Sequence, residues 1–159
     1  MILKIKKLVE GAHIPQAAHP GDAGIDLLAY VPEGETVQVW PGKRLLVRTG
    51  LAVQLPPGTE LQIRPRSGLA LKHGITVLNT PGTVDEGYRG EISIILFNTE
   101  ERQKGRVFHI TDGMKIAQAC LKVVELFEIE EVDELSDTSR GSGGFGSTGY
   151  TAPDKEKEQ

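Results

Sequence analysis

Five short stretches of the chain carry residues able to act on a phosphorylated substrate. In TPGTVDEGYRGEISIILF, residues 80–97, Pro81-Gly82 makes a turn and Val84 stands at its exit. Asp85 and Tyr88 follow on a hairpin, and Arg89 and Glu91 lead into an apolar strand. An Asp at a hairpin end commonly serves the turn itself; as a catalytic group it would be a general base, polarising water for attack on phosphorus. In RPRSGLALKHG, residues 64–74, Arg64, Arg66 and Ser67 gather at a helix start. Free N–H groups and the helix dipole favour an anion there; the plainer alternative is a capped helix with surface arginines. In AGIDLLAY, Asp26 sits between Ile25 and Leu27, and an acid inside an apolar run calls for a salt bridge to an arginine. In GMKIAQACL, Gln118 is an amide within an apolar strand, which points to a specific hydrogen bond.

The fifth stretch, RGSGGFGSTGY at residues 140–150, has five glycines in eleven residues. G-x-G-x-x-G occurs twice in overlap, at Gly141, Gly143 and Gly146 and at Gly144, Gly146 and Gly149. A dinucleotide fingerprint needs a strand before it and a long helix after it, whereas SDTSR precedes and the charged TAPDKEKEQ follows. Arg140, Ser147, Thr148 and the glycine N–H groups nevertheless make a set that grips phosphate oxygens. Phe145 could lie flat on a base. A solvated Gly/Ser linker has the same composition.

The elements that position these residues are short. LKIKKL, ETVQVW, RLLVRTGLAVQL, TELQIRP, EISIILFN, RVFHI and QACLKVVEL read as strands, separated by HPGDAG, VPEG, PGK, LPPG and NTPG. Many short strands at this spacing indicate an all-β barrel or sandwich. One stretch departs from this: Ser67 as N-cap, residues 68–73 as about two turns and Gly74 past the end predict one short helix. Residues 125–139 turn acidic and read as a last strand edge followed by an exposed connection.

The totals narrow the classes. At 159 residues the chain is expected to form one domain. Its net charge of −4 argues against nucleic-acid and membrane partners. The start, MILKIKKLVE, contains no apolar stretch suited to a signal peptide or membrane span. A cytoplasmic location is the expectation, and the single cysteine, Cys120, reads as a buried apolar residue in a reducing compartment. His13, His19, His73 and His109 are scattered, with no zinc-site spacing.

In this order, AGIDL, PRSGLA, NTPGTVDEGYRGEI, KIAQ and RGSGGFGSTG resemble the five motifs of the trimeric deoxyuridine triphosphate diphosphatases, the dUTPases, over residues 23–149. The resemblance implies an all-β, barrel or jelly-roll-like fold with one short helix, assembled as a homotrimer with active sites shared between subunits. It divides the chain into a β domain at 1–135 and a mobile glycine-rich arm at 136–150; the charged tail at 151–159 has no family role and reads as disordered. It implies hydrolysis of dUTP to dUMP and pyrophosphate, with Asp85 as the base that activates water. Tyr88 would pack under the deoxyribose and exclude a 2′-hydroxyl. Asn79 and the backbone of Gly82, Thr83 and Val84 would line the uracil site, with Ser93 also at a substrate-lining position. Arg66, Ser67, Gly68 and Gln118 would hold phosphates. From a neighbouring subunit, Arg140 would take the γ-phosphate, Phe145 would stack on uracil, and Gly146, Ser147 and Thr148 would complete the cradle. Mg²⁺ is implied as cofactor, held by substrate phosphates and water rather than by side chains. Asp26 and Lys115 would support the site. Lys115 stands where the fourth motif usually has arginine, keeping the charge and losing the bidentate fork.

Two rivals differ from this in particular residues. The dCTP deaminases and their bifunctional relatives carry a glutamate in the strand after the hairpin, where ISIILF holds no carboxylate, and they lack the glycine-rich tail. A non-catalytic nucleotide-binding relative would leave Asp85 and the tail without a purpose.

Overall fold

A computed structural model of the chain describes residues 1–145 and residue 147. They form two compact units, Met1–Leu126 and a second beginning at Phe127. The first unit holds eleven strands and one helix: β1 (Lys4–Lys7), β2 (Ile25–Leu28), β3 (Val37–Val39), β4 (Arg44–Arg48), β5 (Leu51–Gln54), β6 (Thr59–Arg64), α1 (Ser67–His73), β7 (Ile75–Val77), β8 (Gly82–Val84), β9 (Ser93–Asn98), β10 (Phe108–Ile110) and β11 (Lys115–Val123). The all-β class expected from the turn spacing, and the jelly-roll-like fold with one short helix that the resemblance implies, are what the chain adopts. Its largest sheet runs β2–β11–β6–β8, a second runs β4–β9–β7, and two pairs, β1–β5 and β3–β10, complete the set.

Alternation builds the core. β6 buries Thr59, Leu61 and Ile63 while Glu60, Gln62 and Arg64 face outward, and β9 buries Ile94, Leu96 and Asn98 in the same rhythm. The apolar members, Leu61, Ile63, Ile94 and Leu96, meet Leu27, Val47, Val77, Ile116 and Ala117 in one cluster. The buried amide of Asn98 is satisfied, donating to the carbonyls of Val39 (3.0 Å) and Arg106 (2.9 Å) and accepting from the Glu100 N–H (3.0 Å). In β11 the alternation breaks: Lys115 and Ala117 stand opposite Leu28 and Leu27, so one extra residue bulges from the strand. Ile116 and Ala117 are buried in succession while Lys115 is turned to solvent.

The helix keeps its predicted end and shifts its start. Gly74 adopts φ 61°, the left-handed conformation that glycine permits, and donates to the Ala70 carbonyl. The cap position belongs to Arg66 rather than Ser67, and no side chain caps the helix. The Arg66 side chain is drawn to Asp26 instead. Two further expectations are corrected. Residues 125–139 contain no strand, because β11 ends at Val123. The stretch around Asp85 and Tyr88 is not a hairpin: β8 pairs with β6, whereas β9 pairs with β4 and β7, so the chain crosses between sheets there. No helix among the described residues is long and apolar enough to cross a membrane.

The β10–β11 turn is fastened to the N-terminal segment by Asp112. Its Oδ1 accepts from the Val31 N–H (2.9 Å) and its Oδ2 pairs with His13 Nε2 (2.7 Å). The Val31 N–H, with His13 helping and burial opposing, holds the Asp112 carboxyl below its usual range. The stabilisation is therefore present at neutral pH and is lost as pH falls through the lowered value. Asp112→Asn should lower Tm at neutral pH, and the deficit should shrink below about pH 4. A deficit of constant size across the acid limb of a Tm–pH series would contradict this.

Candidate active site

An open cavity of about 280 Å³ lies where β8 meets the start of β9. Its apolar floor comes from Ile63, Val77, Ile92 and Ile94, all buried, and its polar groups are Asn79, Thr83, Asp85, Tyr88, Glu91 and Ser93. The floor follows from register: Gly82 stands opposite Ile63 and Val84 opposite Leu61, so β8 forms the sheet edge at the cavity wall. A Cβ on Gly82 would lie 3.1 Å from Asn79 Nδ2 and 3.4 Å from the Ile63 Cβ, a tight fit that would press the Asn79 amide back by a few tenths of an ångström.

Asp85 is exposed at the exit of β8. The segment carrying it is tied at several points. Glu86 Oε2 accepts from the Gly58 N–H (2.8 Å), the Tyr88 N–H donates to the Asp85 carbonyl (3.1 Å), and Arg89 Nη1 donates to the carbonyls of Glu86 (2.6 Å) and Tyr88 (2.8 Å). Beyond it, Glu91 accepts from Arg48 Nε (3.1 Å) and from the Gly50 N–H (2.8 Å).

A second group of residues gathers where β2, β11 and the end of β6 adjoin. Asp26 pairs through Oδ1 with Arg66 Nε (2.8 Å) and through Oδ2 with Lys115 Nζ (2.9 Å). Arg66 Nη1 also donates to the Lys115 carbonyl (3.1 Å). Two cations share one carboxylate, leaving one net positive charge beside the exposed Ser67 and Gly68. Gln118 Nε2 donates to the Pro65 carbonyl (2.8 Å), the specific hydrogen bond its position called for. Arg64 does not join this group; it donates to Gln62 Oε1 on its own strand.

β6 joins the two groups. Arg64 lies opposite Gln118 of β11 on one side, and Ile63 lies opposite Gly82 of β8 on the other. At roughly 5 Å between neighbouring strands, Gly82 and Gln118 are about 10 Å apart across the sheet. Of the residues singled out in the sequence, Asn79, Gly82, Thr83, Val84, Asp85, Tyr88 and Ser93 line the one cavity. Asp26, Arg66, Lys115 and Gln118 are linked at the second place, next to Ser67 and Gly68 at the start of α1.

Arg140, Phe145 and Ser147 belong to the second unit. There Arg140 Nε donates to the Gly143 carbonyl (2.9 Å), the Ser147 N–H donates to the Gly144 carbonyl (3.1 Å), and Phe145 is exposed with φ 50°. Gly146 and Thr148 lie outside the described residues. Glu91 was visible in the sequence only as a step into the strand. Its partners lie more than forty residues away, at Arg48 and Gly50, and no local pattern signals them. Among the described residues no group of three His, Cys, Asp or Glu side chains is placed to hold a metal ion.

These features define a jelly-roll-like all-β domain with a carboxylate-edged cavity one strand removed from a cationic cluster, a layout suited to a small phosphorylated ligand. The sequence model of the dUTPase family matches residues 10–149. The deoxyuridine 5′-triphosphate nucleotidohydrolase of Crocosphaera subtropica is 56% identical over 124 residues, covering 78% of this chain and 82% of that protein. That of Clostridium tetani is 56% identical over 122 residues, covering 77% and 79%. The structure of the Staphylococcus bacteriophage 80alpha dUTPase with dUPNHPP is 29% identical with a TM-score of 0.83, covering 94% of this chain and 99% of that one. A mutant dUTPase from phage phi11 of S. aureus, described with a structural Mg(II) ion, is 26% identical with a TM-score of 0.74, covering 84% and 98%. The chain belongs to the dUTPase family.

Asp26→Asn should break both ion pairs and leave Arg66 and Lys115 without their shared anion. The pairs are only partly exposed, so the cost should fall between that of surface and buried bridges, about 1–3 kcal/mol. Calorimetry should show a Tm lowered by several degrees; an unchanged Tm would mean that the cluster contributes nothing to folding.

Proposed function

We propose that this chain hydrolyses dUTP to dUMP and pyrophosphate at the cavity between β8 and β9, with Asp85 as general base. The observation that carries the reading is that the seven residues expected around uracil, sugar and water, Asp85 among them, line one cavity. Uracil enters against Asn79 and the backbone of Gly82, Thr83 and Val84, where edge-strand amides and carbonyls offer the pairing that a base edge needs. Tyr88 lies under the deoxyribose, and Ser93 borders the substrate from β9. The phosphates run toward Arg66, Ser67, Gly68 and Gln118, with Asp26 and Lys115 holding the guanidinium in place.

Asp85 takes a proton from water as the water oxygen bonds to the α-phosphorus. The bond from that phosphorus to the bridging oxygen breaks, and pyrophosphate leaves. Magnesium suits this donor set as a companion of the triphosphate, carried by phosphate oxygens and water. When bound, it supplies charge neutralisation on the phosphates. Keeping uracil out of DNA and supplying dUMP for thymidylate synthesis are the consequences of this activity.

The active form is a homotrimer in which residues 136–150 act as an arm. It closes over a neighbour's nucleotide, with Arg140 on the γ-phosphate, Phe145 on uracil, and Gly146, Ser147 and Thr148 completing the phosphate cradle. Uncovered apolar side chains on the single chain, Trp40 and Leu46 among them, support assembly from several copies. Glycine lets amides approach phosphate closely and lets the arm open for release.

Incubation with Mg²⁺ and, separately, dUTP, dCTP, dTTP and UTP should convert dUTP alone. Asp85→Asn should retain dUTP binding and lose on the order of 10²–10⁴-fold in turnover. Deamination of dCTP, or undiminished hydrolysis by Asp85→Asn, would refute the assignment. Removal of residues 140–159 should leave Tm and the trimeric state unchanged and abolish most turnover; loss of folding would make the arm structural instead.

A further inference from the structure

The ring of Tyr88 rests in a seat made by the next three residues. A Cβ at Gly90 would fall 2.6 Å from Tyr88 Cζ and 3.0 Å from Cε2, and it would strike the hydroxyl oxygen as well. Gly90 is not among the glycines with positive φ, so the ring, not the backbone conformation, is what excludes a side chain there. Nearby Gly87 differs, because a Cβ on it would meet nothing within 4 Å.

The other half of the seat is the Glu91 carbonyl, which accepts from the Tyr88 hydroxyl at 3.1 Å. That carbonyl is fixed. The Glu91 carboxylate is held by Arg48 Nε and the Gly50 N–H. The Ile92 N–H donates to the Leu51 carbonyl (2.8 Å), and the Ile92 carbonyl accepts from Thr49 Oγ1 (2.6 Å). Residues 91 and 92 are therefore pinned to the turn between β4 and β5, and the half-exposed Tyr88 ring is laid on that fixed backbone at the cavity wall.

We propose that Gly90, with the anchored Glu91, is a positioning residue that sustains discrimination between deoxyribose and ribose by seating Tyr88. The inference rests on the reading of the cavity as a deoxyuridine nucleotide site. A wall excludes one extra oxygen only if it cannot yield. A phenol ring on a flexible side chain yields unless both the ring and its hydroxyl are held. The contact at Gly90 is with the far end of that side chain, so a methyl group there would move the ring and spare the fold.

The test is the ratio of kcat/KM for dUTP to that for UTP in the full chain, with Tm as the folding control. Gly90→Ala should fold and lower the ratio by about tenfold or more. Tyr88→Phe, which keeps the ring and loses the hydroxyl bond, should lower it less, and Gly87→Ala should leave it unchanged. A folded Gly90→Ala protein with the unsubstituted ratio would overturn the proposal and leave the Tyr88 reading intact. An equal fall in Gly87→Ala would also overturn it, by showing general loosening of the loop. If Gly90→Ala fails to fold, Tyr88→Phe decides, and an unchanged ratio there would overturn the seat. Equal use of dUTP and UTP by the unsubstituted chain would instead refute the underlying reading of the site.

Discussion

Strand β6 is shared by two neighbours, and its register against each constrains everything around the site. Pairing with β11 sets Arg64 beside Gln118, and pairing with β8 sets Ile63 beside Gly82. A slip of one residue on either side would turn Leu61 and Ile63 outward and bring Gln62 into the core, a change the buried cluster cannot accommodate. Hydrophobic burial thus fixes the distance between the cavity at Gly82 and the cationic cluster at Gln118, the proposed places of base and phosphates. Neither group of polar residues has to define that spacing itself.

Around this strand the polar groups are positioned by exceptions to regular structure. The bulge in β11 turns Lys115 outward, and its ammonium reaches the same carboxylate that holds Arg66. Arg66 occupies the cap position of α1 without capping it, which leaves its guanidinium for Asp26 and the Lys115 carbonyl. The segment from Asp85 to Glu91 crosses between two sheets and has no ladder of its own, so side chains of Glu86, Arg89 and Glu91 supply the bonds that a strand partner would otherwise provide. Lysine at 115 keeps the ion pair while giving up the fork of an arginine.

Much of this was legible in the residues. Alternation in TELQIR and EISIILFN marked two strands that carry the core, and Gly74 marked the helix end because few other residues tolerate its φ. Asp26 and Gln118 announced a need for partners by being polar in apolar company. What stayed hidden depends on contacts distant in sequence. The three-residue strands β7 and β8 are too short to show a period, and nothing near Asp85 says that β8 pairs with β6 rather than β9. The strand edge expected within residues 125–139 is absent: β11 ends at Val123, and the β-forming residues beyond it, such as Ile129 and Val132, are exposed and interspersed with acids. Nothing in the sequence singles out the glycine at 90; only the position of the Tyr88 ring shows what it leaves room for.

The central claim is that water, activated at Asp85, attacks the α-phosphorus of dUTP lying along this cavity. Hydrolysis in water labelled with heavy oxygen, followed by mass spectrometry of both products, tests it directly. The label is expected in the phosphate of dUMP, with none in pyrophosphate. Label in pyrophosphate, or release of orthophosphate in its place, would mean attack at a different phosphorus and would contradict the arrangement of base, sugar and phosphate described for this site.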